Sequence, residues 1–104
     1  MKGVPIMVKH MIIWKFKDEI LDQASQALAI KTALEGLVGK IEGLLEMRII
    51  TEKLPSSAGD IMMDSSFVNE TALQNYQKHP LHVEIANNLV RPCMQTRLSL
   101  DYTL

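Results

Sequence analysis

Several residue types are scarce in this sequence, and each scarcity excludes a class of protein. Cys93 is the only cysteine among 104 residues, so no internal disulfide can form, and we expect a structural thiol in a reducing compartment, the cytoplasm. The net charge is −1 and no basic run occurs, which argues against a nucleic-acid partner. No apolar run approaches the roughly 20 residues of a membrane span, so no membrane partner is expected.

The length and the composition predict a single small domain. A hydrophobic content of 47% and a charged content of 22% are ordinary for a globular protein. Residues 1–7 hold one lysine and no long apolar core, so we expect an N-terminal extension there rather than a signal peptide. The domain itself is then expected to span residues 8–104.

Apolar alternation and turn residues predict six elements in the order βαββαβ. The predicted strands cover residues 8–17, 44–53, 61–68 and 96–104. The first helix is expected over residues 18–40, and the second begins after the cap Asn69, breaks at Pro80 and stops at Pro92. This order indicates an α+β, ferredoxin-like fold, with a four-stranded antiparallel sheet whose helices cover one face.

The first strand is apolar on both of its faces, which predicts a homodimer. His10, Ile12 and Trp14 share one face, while Met11 and Ile13 lie on the other. Helices can cover only one side of the sheet, and a monomer rarely exposes so large an apolar patch. A second copy packed about a two-fold axis covers the open face most simply.

The stretch from Tyr76 to His82 is the main candidate for chemistry. Pro80 suits the first turn of a helix, which places His82 near unpaired backbone N–H groups that favour a neutral imidazole. The plainer interpretation is that His79 caps a helix and His82 is a surface residue. His79 and His82 alone are a weak metal signal, so we predict neither a metal nor another cofactor.

Four segments resemble the stress-responsive A/B barrel (Dabb) domain family. They are Val8-Lys9-His10, Lys15-Phe16-Lys17-Asp18-Glu19, Tyr76-x-x-His79-Pro80-x-His82 and Asp101-Tyr102-Thr103. They occur in order over nearly the whole chain from Val8, and the combination is more specific than any one segment. The resemblance implies a dimeric α+β barrel.

The resemblance also implies roles for individual residues. A plant member of the family closes a linear polyketide by intramolecular aldol condensation, and by comparison His82 is the catalytic base, Tyr76 assists it and His10 lies in the pocket. The expected lining of that pocket consists of Ile12, Trp14, Met63, Arg97 and Ser99. Arg97 and Ser99 replace apolar residues of the plant member, and Ala29, Thr32 and Ala33 replace bulkier ones. These departures argue against the same substrate and leave open acid–base chemistry on a smaller or more polar carbonyl compound.

Two functions therefore compete for the same cavity. One is a cofactor-independent, polyketide cyclase-like lyase that uses His82 as general base. The other is a non-catalytic dimer that binds a small apolar ligand, or has only a stress-related structural role. Both functions have a second copy of the chain as a partner. The catalytic and the ligand-binding functions also have a small-molecule ligand, whereas the structural role does not. Turnover of a substrate distinguishes the two.

Overall fold

The structure is a computed structural model that describes residues 7–104, so the predicted extension of residues 1–7 lies outside it except for Met7. The strands are β1 (Val8–Phe16), β2 (Leu44–Ile50), β3 (Ile61–Phe67) and β4 (Met94–Thr103). The helices are α1 (Gln23–Glu35), α2 (Glu70–Lys78) and α3 (Pro80–Ile85). A π-helical turn (Ala86–Val90) and a 3₁₀ turn (Arg91–Cys93) connect α3 to β4.

The four strands form one sheet in the order β2-β3-β1-β4, and every neighbouring pair is antiparallel. The two central strands, β1 and β3, are joined by registered pairs such as His10 with Ser65 and Ile12 with Met63. This topology confirms the predicted α+β, ferredoxin-like fold. β2 ends at Ile50, earlier than the predicted residue 53.

The helices cover one face of the sheet, and the even-numbered residues of β1 point towards that face. Val8, His10, Ile12, Trp14 and Phe16 are all buried there. The residues between them point the other way and are half-buried or exposed. The period-two pattern of the sequence therefore assigned each β1 side chain to the correct side.

The opposite face of the sheet has no covering element within residues 7–104. Met11 lies opposite Leu100, and Ile13 lies opposite Leu98, so these apolar side chains form adjacent rows. Leu98 and Leu100 are 69% and 65% exposed. A continuous apolar surface therefore faces away from the helices.

The first helix is shorter than the predicted range of residues 18–40. Its start is capped by Asp22, which the sequence offers as a cap together with Asp18 and which accepts a hydrogen bond from the Ser25 N–H at 3.0 Å. The helix ends at Glu35 instead of continuing to residue 40. The sequence also predicts an apolar stripe on this helix that includes Leu21, Leu28 and Leu34, but Leu21 and Leu28 are exposed. Apolar residues occur on several sides of this segment, so its periodicity does not select the stripe that is buried, which is Ala27, Ile30 and Leu34.

The predicted break between the last two helices is confirmed. Asn69 caps α2 by accepting from the Ala72 N–H at 2.8 Å. His79 is extended, as a residue before proline should be, and its Nδ1 accepts from the Leu81 N–H at 3.1 Å at the start of α3. Beyond α3, the Arg91 N–H reaches back five residues to the Ala86 carbonyl. None of the helices described is both long and apolar enough to cross a bilayer.

Candidate functional site

A cavity of about 160 Å³ lies between the sheet and the helices and collects most of the predicted site residues. Its wall is formed by side chains from β1, β3, β4 and α1, together with the helical segment that runs from α2 to the 3₁₀ turn. The lining residues are His10, Ile12, Trp14, Leu34, Met63, Tyr76, Gln77, His82, Ala86, Val90, Arg91 and Arg97.

Several residues expected at the cavity do not line it. Ser99 pairs with Ile12 and so shares the helix-side face, but it lies on the edge strand β4, where it is exposed. Ala29, Thr32 and Ala33 are also absent from the wall. Leu34 is the α1 residue that reaches it, because it belongs to the buried stripe of that helix.

Tyr76 and His82 contact each other across the break between α2 and α3. Their ring centroids are 4.2 Å apart with an interplanar angle of 37°, and Phe67 supports the tyrosine ring from the sheet at 5.0 Å. Tyr76 is buried, and its hydroxyl has no hydrogen-bond partner among residues 7–104. Burial raises the pKa of Tyr76 well above its usual value, so this hydroxyl stays protonated and can donate.

His82 has the properties of a neutral base. Its Nδ1 is buried and, within the described chain, has no hydrogen-bond partner. Burial lowers the pKa of His82 below 6.5, and the positive charges of Arg91 and Arg97 lower it further. The Gln77 main chain raises the pKa, but by less than burial lowers it. We had expected the helix start to favour the neutral form, but burial is the largest cause. His82 can therefore accept a proton near neutral pH.

His10 is held in a fixed orientation at the floor of the cavity. It is buried, and its Nδ1 donates to the Asp101 carboxylate on β4, which lies opposite it in the sheet register. Its ring meets Phe67 edge-on at a centroid distance of 6.4 Å. We had noted Asp101 only as part of a family-like segment. Counting residues along two paired strands is the signal that could have identified it as the partner of His10.

The remaining candidates have structural roles. The Cys93 thiol is buried and donates to the Val90 carbonyl at 3.2 Å, and burial raises the pKa of Cys93, so it stays a thiol. His79 uses its Nδ1 to cap α3. Across residues 7–104, no three histidine, cysteine, aspartate or glutamate side chains cluster closely enough to hold a metal ion.

Comparison with known families gives a match over the whole domain. The sequence profile described as Stress Responsive A/B Barrel Domain matches residues 8–104. Among curated proteins, olivetolic acid cyclase of Cannabis sativa is 27% identical over 97 residues, which cover 92% of this chain and 95% of the cyclase.

Solved structures with the same fold include a dimeric protein of unknown function from Bacteroides fragilis. It superimposes with a TM-score of 0.85 at 26% identity, covering 94% of this chain and 96% of that one. The hydroxynitrile lyase of Passiflora edulis superimposes with a TM-score of 0.76 at 19% identity, covering 97% and 95%. At that identity the second likeness shows the fold alone.

Proposed function

The chain belongs to the stress-responsive A/B barrel domain family, and from its cavity we propose that it removes a proton next to the carbonyl of a small molecule, as a cofactor-independent lyase or cyclase does. One observation carries this proposal. The Tyr76 hydroxyl and His82 Nδ1 are buried polar atoms without a protein partner in residues 7–104, on two touching rings that line one cavity. Buried polar atoms normally have partners, and a bound ligand supplies them here.

Each group has a defined part in the reaction. The bond between a hydrogen and the carbon next to the carbonyl breaks, and its proton passes to His82 Nδ1. The electron pair moves to the carbonyl oxygen, and the Tyr76 hydroxyl donates a hydrogen bond to the enolate oxygen that forms. His10, fixed by Asp101, orients the ligand from the floor of the cavity. The similarity to a cyclase supports this assignment.

We also propose that the protein is a homodimer in which two open sheet faces pack together. The rows of Met11 with Leu100 and Ile13 with Leu98 supply an apolar interface, in which Met11 is half-buried and the other three side chains are exposed. A groove of about 760 Å³ lies on the same face beside the loop that follows β2. The dimeric state of the Bacteroides fragilis protein is consistent with this arrangement.

Domain bounds and location follow from the same reasoning. We propose one domain over residues 8–104, in agreement with the extent of the family match. A cytoplasmic location suits Cys93, a lone buried thiol with no cysteine to pair with.

Exchange of carbon-bound hydrogen for deuterium tests the catalytic proposal directly. Butanone in deuterated buffer loses the proton NMR signals next to its carbonyl when an enzyme forms the enolate, and we expect the wild-type protein to accelerate that loss. His82→Ala should lower the accelerated rate by about 10²–10⁴, the usual range for a general base. Tyr76→Phe keeps the ring and should lower the rate less.

His79→Ala is the matched control, because it removes an imidazole from the same chain reversal outside the cavity wall. We expect this variant to keep its exchange rate. Equal losses in His79→Ala and His82→Ala would contradict a specific role for His82. No acceleration by the wild type, with butanone still bound, would favour the non-catalytic ligand-binding function instead.

A further inference from the structure

The cavity wall carries an excess of positive charge. Arg91 and Arg97 line it, and no aspartate or glutamate belongs to its wall. The whole chain has a net charge of −1, so this local excess of positive charge is not a general property of the protein. Asp101, on the same face of β4, is engaged with His10.

Arg97 is the guanidinium that remains available. Arg91 donates to the Asn87 side chain at 2.6 Å, whereas Arg97 has no salt bridge or side-chain hydrogen bond within the part of the chain described. Its charge acts on both reacting groups, since it opposes the rise that burial causes in the pKa of Tyr76 and adds to the lowering of the pKa of His82. An anionic group bound at Arg97 would therefore lie beside the carbonyl that these two residues activate.

The volume of the cavity limits the size of the ligand. Pockets for drug-sized ligands measure about 300–1,000 Å³. This cavity, at about 160 Å³, lies below that range. Its volume therefore favours a short-chain compound over a long polyketide chain.

From these observations we infer that the ligand is a small oxo acid, whose carboxylate binds Arg97 while its carbonyl group meets Tyr76 and His82. Arginine is suited to this task because its planar donors match a carboxylate. The inference rests on the proposed function, since it places the ligand in the same cavity and the reacting carbonyl at the same two residues.

Butanone and 2-oxobutanoate form a matched pair of probes. They share the same carbonyl and the same neighbouring methylene group, and differ in that a methyl group of the first is a carboxylate in the second. We expect the wild-type protein to bind 2-oxobutanoate more tightly by about ten- to a hundredfold, the gain that one charge-assisted hydrogen-bonded pair gives. Titration followed by ligand NMR measures this preference without requiring turnover.

Three variants separate recognition by Arg97 from other effects. Arg97→Met should abolish the preference, because it removes the guanidinium that binds the carboxylate and keeps an unbranched side chain in its place. Arg97→Lys should restore part of it. Lys40→Met removes one positive charge from an exposed turn outside the cavity and should leave the preference unchanged.

Each outcome decides one of the two proposals. Equal affinity for both probes in the wild type, or equal loss of the preference in Lys40→Met and Arg97→Met, overturns the oxo-acid inference. If butanone exchange is still accelerated, the proposed function survives that result. Conversely, Arg97-dependent binding of 2-oxobutanoate without exchange of either probe supports the ligand class and refutes the role of His82 as a base.

Discussion

Tyr76 and His82 each bury a polar atom that the fold leaves without a protein partner in residues 7–104. Such an atom costs about 1–3 kcal/mol of stability, because the water it lost is not replaced. Natural sequences tolerate such costs mainly at functional sites. The cost is therefore evidence for the site, and it leads to two predictions about single residues.

The first prediction is that Tyr76→Phe separates stability from activity. Removing a buried hydroxyl without a partner should leave the free energy of unfolding unchanged or raise it by up to about 1 kcal/mol. The same change should slow butanone exchange, because the enolate oxygen loses its donor. Urea unfolding and the exchange assay measure the two effects on one sample. A loss of more than about 1 kcal/mol would mean that the hydroxyl has a structural partner.

The second prediction concerns pH. As the proposed general base, His82 would work only when neutral. Burial lowers its pKa below 6.5, so butanone exchange should rise with pH through a midpoint below 6.5 and level off near neutrality. Arg97→Met removes a positive charge that favours the neutral imidazole, so the midpoint should move to higher pH. A rate profile over about pH 4 to pH 8, the range in which an imidazole titrates, measures both midpoints. A wild-type midpoint at or above 6.5 would count against burial of the base.

Among the secondary-structure elements, the sequence predicted those in which one residue has one dominant effect. Pro80 breaks the helix whatever surrounds it, and the alternation in β1 assigned His10 to the buried face. The sequence could not select the buried stripe of α1, since Leu28 and Ile30 are equally apolar and only packing distinguishes them. Arg97 could be placed at the cavity from the sequence. Asp101, by contrast, could be paired with His10 only from the strand register.

Two glycines offer a matched test of how α2 approaches the sheet. Gly39 and Gly43 both have positive φ, 89° and 86°, so alanine at either position costs about 1–2 kcal/mol in backbone strain. A Cβ at Gly43 would also lie 2.5 Å from the Ala72 Cβ, whereas one at Gly39 would meet nothing within 4 Å. We expect Gly43→Ala to cost about 1–3 kcal/mol more than Gly39→Ala in thermal or urea unfolding. Equal costs would show that α2 can move away.

For the whole molecule, the open sheet face is the surface that we propose as the dimer interface. A surface with Leu98 and Leu100 mostly exposed beside Ile13 resembles the core of an interface more than a solvated surface. Two such faces, related by a two-fold axis, would bury each other and enclose both sheets in one barrel. The helices and the cavities would remain on the outside of that interface.

Sedimentation of a matched pair of variants tests this arrangement. The wild type should sediment at twice the chain mass of 11.7 kDa at micromolar concentration. Leu100→Asp should shift the protein to monomer, because an unpaired charge buried in an interface costs several kcal/mol. Leu28→Asp changes a leucine that is 61% exposed on α1, close to the 65% of Leu100, and should leave the dimer intact. Dimers in both variants would place the interface elsewhere.

The π-helical turn after α3 has a consequence for insertions and deletions. Residues five apart in an α-helix point about 140° away from each other around the axis, whereas the bond from the Arg91 N–H to the Ala86 carbonyl stacks these two residues. Both therefore face the cavity together with His82, which an uninterrupted α-helix would not allow. The π-helical turn is therefore equivalent to the insertion of one residue into an α-helix. A relative that lacks that residue would keep the histidine at the cavity and turn its arginine towards solvent.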